Sequence, residues 1–133
     1  MRLETEAGAP VENPTEDQIR QALQDLGRQA GTFAILTRRE EPLEYMQTSG
    51  EGGSFMVEFH EGGKHFRAAN EAMTFDDMLA LFTSYDRGDD AWRTLAPWQN
   101  VTKEVSGARW PVVAVIGVVT AGLVALILYY SFK

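Results

Sequence analysis

His60 and His65 are the only histidines in the sequence, and they flank Gly62-Gly63. A glycine pair between two runs that alternate apolar and polar residues reads as the turn of a two-residue β-hairpin. That turn sets Glu61 opposite Lys64, His60 opposite His65, Phe59 opposite Phe66 and Glu58 opposite Arg67. Two opposite-charge pairs and one aromatic pair form together, which supports the register. Glu58 lies on the same face as both imidazoles, so His60, His65 and Glu58 are the candidate ligands for a divalent metal. A structural zinc site takes four ligands and this set supplies three, so neither a metal nor any other cofactor is expected. The same two rings could instead respond to pH, because facing imidazolium groups repel.

The remaining polar signals have simpler explanations than catalysis. Gly88-Asp89-Asp90 has the look of a metal-binding turn, but it reads as a helix stop followed by a polar turn. Asp76 and Asp77 are adjacent, so on a helix they diverge by about 100° and suit a helix N-terminus better than paired acid–base work. No serine sits in a nucleophile-elbow context, and Gly50, Gly52 and Gly53 match no phosphate loop. The absence of cysteine excludes disulfides, thiolate metal sites and cysteine nucleophiles. Asn100-Val101-Thr102 matches a glycosylation sequon and is read as chance. No enzymatic activity is expected.

Trp92, Arg93 and Trp98 are a candidate protein interface, since tryptophan and arginine are enriched at binding hot spots. The same tryptophans would also serve to cap the core of a small domain.

The longest uniform feature is apolar. Residues 111–130 read PVVAVIGVVTAGLVALILYY without a charge. Twenty residues at about 1.5 Å rise span about 30 Å, the thickness of a hydrocarbon core. The sequence therefore predicts a single transmembrane helix over 110–132, with Arg109, Trp110, Tyr129, Tyr130 and Lys133 at the membrane interfaces. Ala114, Gly117, Ala121 and Ala125 form a small-residue stripe suited to packing against another helix. Lys103 and Arg109 precede the run and only Lys133 follows it, which favours an N-terminal domain on the cytoplasmic face of a bacterial-type inner membrane.

All 19 acidic and 11 of the 12 basic residues precede this run, giving the preceding part a formal charge of −8. Such a domain is repelled by nucleic acid and by anionic headgroups, and attracted to basic protein surfaces.

At the N-terminus, residues 1–14 read as a flexible acidic arm. Thr15 and Gln18 form a capping box for a helix over 16–26. Residues 32–38 and 43–48 are β-prone, and 55–59 and 64–68 form the hairpin. Thr74 caps a second helix with an apolar stripe of Met78, Leu79, Phe82 and Tyr85, ended by Gly88. The expected fold is α+β: a two-layer domain over 15–98 (helix, four-stranded antiparallel sheet, helix), a tether over 99–109, then the transmembrane helix. The expected role is a non-enzymatic accessory or assembly subunit of a larger membrane complex, contacting integral membrane subunits and the lipid bilayer. The alternatives are a membrane-anchored binding module of inhibitor or immunity type, and a metal or pH sensor built on His60 and His65.

Overall fold

A computed structural model describes residues 1–6, 8–28, 33–51 and 53–107. The chain divides into a unit spanning Met1–Val101 and a second unit beginning at Thr102. The first unit is built on a seven-stranded antiparallel sheet in the order β2-β1-β3-β4-β5-β6-β7. Its strands are β1 (Arg2–Thr5), β2 (Val11–Glu12), β3 (Phe33–Glu40), β4 (Leu43–Glu51), β5 (Ser54–Glu61), β6 (Lys64–Ala68) and β7 (Trp98–Asn100). Its helices are α1 (Glu16–Gly27), α2 (Phe75–Arg87) and the short α3 (Trp92–Leu95). The described part of the second unit contains α4 (Thr102–Gly107).

This corrects the expected fold. The sheet has seven strands rather than four, and it dominates the unit. The arm expected over 1–14 supplies two of the extra strands. Leu3 is buried in the core directly opposite Leu36, and this single apolar anchor places β1 on the sheet. The ends of the β1–β2 hairpin are tied where Asn13 N–H donates to Met1 O at 2.6 Å and the terminal amine donates to Asn13 Oδ1 at 3.1 Å. The tether expected over 99–109 is also structured in part: Gln99 and Asn100 pair with β6, and Thr102–Gly107 is helical. The transmembrane helix expected over 110–132 lies outside the described residues. Among those described, no helix is long and apolar enough to cross a membrane.

Local chemistry accounts for the helices. Gln18 N–H donates to Thr15 Oγ1 at 3.1 Å, and Thr15 N–H donates to Gln18 Oε1 at 2.9 Å. This reciprocal box satisfies two backbone donors that a helix start leaves open. Ile19, Leu23 and Leu26 then recur on one face and are buried. Thr74 caps α2 by accepting from Asp77 N–H at 3.2 Å, and Gly88 ends it at φ 73°, a left-handed conformation that glycine adopts without strain. Met78, Leu81, Phe82 and Tyr85 form the buried face of α2.

Alternation sorts the strands. Leu36, Met46, Phe55, Val57, Phe59 and Ala68 join Ile19, Leu23, Leu26 and the apolar face of α2 in one core. The helices thus cover one face of the sheet. The Gly62-Gly63 turn has φ values of 61° and 74°, the positive pair that a tight hairpin turn requires. It sets Glu58↔Arg67, Phe59↔Phe66, His60↔His65 and Glu61↔Lys64.

Candidate functional site

The sheet face turned away from the helices carries two cross-strand rows. One runs Thr37, Tyr45, His60 and His65; the next runs Ile35, Gln47, Glu58 and Arg67. The hairpin turn supplies the β5 and β6 members, and continuous pairing with β4 supplies Tyr45 and Gln47. Polar residues on a sheet face that the helices leave open usually meet water, yet Glu58 is 6% exposed and His65 2%.

A buried carboxylate is costly unless hydrogen bonds and an opposite charge compensate it. Glu58 has both. Gln47 Nε2 donates to its Oε1 at 2.7 Å, and Arg67 Nε donates to its Oε2 at 2.7 Å. His65 Nε2 lies 3.0 Å from Oε1. Burial pushes the Glu58 carboxyl up, but the hydrogen bond and charge of His65, followed by the bonds from Arg67 and Gln47, outweigh it and hold the group at about 2. Beside this knot the Tyr45 ring stacks on His60 at 5.5 Å, and the two imidazole centroids are 5.8 Å apart. Burial, reinforced by His65, lowers His60 to about 4.

These contacts hold His65 against Glu58 and place His60 beside Tyr45 and His65. Glu58 has both oxygens engaged within the sheet, and no group of three or more potential metal-ligating side chains occurs among the described residues. His60 stays neutral through the pH range in which an ordinary histidine responds. Gln47 and Tyr45 are missed by a reading of the hairpin alone. The signal that finds them is the register of β4 against β5, where Gln47 faces Glu58 and Tyr45 faces His60.

The second candidate group is also largely internal. Trp92 is fully buried. Its ring meets Phe59 at 4.6 Å and Tyr85 at 5.3 Å, both edge to face. Trp98 is half-buried, packs edge-on to Phe59 at 4.8 Å, and donates its indole N–H to Trp92 O at 3.3 Å. Arg93 lies 4.3 Å above the Trp92 ring and pairs with Glu61 at 2.8 Å and Asp90 at 3.3 Å. Trp92 is therefore a core residue rather than an interface anchor. The exposed apolar side chain of this segment is Leu95, at 56%.

Asp89 also has a local role. It accepts from Ser84 Oγ and, at 3.0 Å, from Ala91 N–H, while Ser84 Oγ accepts from Trp92 N–H at 2.8 Å. The chain Asp89–Ser84–Trp92 fixes the turn between α2 and α3. Asp76 and Asp77 lie exposed in the first turn of α2, where the helix dipole favours negative charge. Arg109, Trp110, Ala114, Gly117, Ala121, Ala125, Tyr129, Tyr130 and Lys133 lie outside the described residues.

No known protein family matches this chain, and no curated protein or solved structure shows significant similarity to it.

Proposed function

We propose that the Met1–Val101 unit is a non-catalytic acidic binding module that holds a basic protein partner, with the apolar run at 111–130 keeping the pair at a membrane. The observation that carries this reading is how the unit distributes its charge. It contains eighteen acidic and nine basic residues, a formal charge of −9. The exposed arginines are engaged internally: Arg28 with Asp25 at 3.7 Å, Arg39 with Glu44 at 4.0 Å, Arg87 with Glu16 at 2.7 Å and Arg93 with Glu61 at 2.8 Å. Glu12, Glu41, Glu71, Asp76 and Asp77 are exposed and form no ion pair among the described residues. The field outside the unit is therefore negative, which steers basic partners and repels nucleic acid.

The test is capture from the cell of origin with the full chain as bait in mild detergent and low salt. The reading expects a basic protein that is released as salt rises, because screening shortens the reach of exposed charges to about 3 Å at 1 M. Capture of an acidic protein, or retention indifferent to salt, would count against it.

A second reading, an accessory or assembly subunit of a membrane complex, is favoured by the stripe of Ala114, Gly117, Ala121 and Ala125 in the apolar run. The same capture separates the two readings. An integral membrane partner that stays bound at high salt supports the subunit, and a peripheral basic protein supports the module.

A further inference from the structure

We draw no further inference here: the strongest candidate, the apolar groove between α1 and the β1–β2 hairpin that Leu3, Val11, Ala22 and Leu26 line, carries nothing because nothing in the structure shows what covers it.

Discussion

Arg67 Nε donates to Glu58 Oε2 at 2.7 Å, directly across the β5–β6 pair. The two residues form an ion pair on the sheet face turned away from the helices. Gln47 and His65 engage the remaining oxygen of Glu58, so the carboxylate is anchored from both neighbouring strands, β4 and β6. This arrangement fixes the register of β4, β5 and β6, because a one-residue slip would place Glu58 among the core aromatics.

Removing one member of this knot should therefore cost more than removing the pair. Glu58→Ala leaves the largely buried Arg67 without its carboxylate and should destabilise the protein by about 3–5 kcal/mol. Glu58→Met combined with Arg67→Met should recover most of that loss, since an apolar replacement of a buried pair is often neutral. Urea denaturation of the single and double variants measures both effects. A double variant no more stable than Glu58→Ala would show that the pair does not act as a unit.

Stability should fall in two steps as pH decreases. An unfolded His60 takes up a proton near 6.5 while the folded one resists until about 4, so the unfolded state binds more protons between those values. Stability is thus lost as pH drops from 6.5 towards 4. Glu58 acts lower: the unfolded carboxyl protonates near 4.5 and the folded one near 2, so its contribution is lost across that window. His60→Gln should flatten the upper step alone, and Glu58→Gln the lower. Thermal melts from pH 7 to pH 3 read both, and an upper step unchanged in His60→Gln would refute the assignment.

Gly50 sits opposite Phe55 in the β4–β5 ladder, where a Cβ would collide with the Phe55 ring. Phe55 is itself buried and packs edge-on to Phe75 at 6.1 Å, so it has little room to move. Gly50→Val should cost about 1–3 kcal/mol through overpacking. Differential scanning calorimetry checks this; a variant as stable as the wild type would mean that the ring yields freely.

Trp92 and Leu95 should behave in opposite ways although they share α3. Trp92→Phe removes part of a fully buried ring between Phe59 and Tyr85 and should lower the unfolding midpoint by several degrees. Leu95→Ala changes an exposed side chain and should stay within about 0.5 kcal/mol of the wild type. A large loss of stability in Leu95→Ala would mean that this side chain is held by contacts its exposure does not show.

The parts of the fold that are legible in the sequence are those with strong local chemistry. Gly62-Gly63 dictates a turn, and the charge and aromatic pairs on either side of it permit one register. Thr15 with Gln18, and Thr74 before an apolar stripe, mark helix starts for the same local reason. The additional strands rest on longer-range contacts. β1 has one apolar residue with a core role, Leu3, whose value appears only against Leu36 on β3. β7 is three residues long and owes its place to pairing with β6. The hairpin register makes His60↔His65 and Glu58↔Arg67 legible, but not Gln47, because the β4 register carries no comparable local marker. Tryptophan content alone does not separate core from interface; Trp92 is buried because the Ser84–Asp89 turn folds α3 back onto Phe59.

The most direct test is the native mass of the full chain, extracted in mild detergent from its own cell at low salt. The account predicts a complex larger than the 14.8 kDa chain, containing a basic protein that dissociates as salt is raised. A monomer at the chain's own mass under all conditions would contradict it.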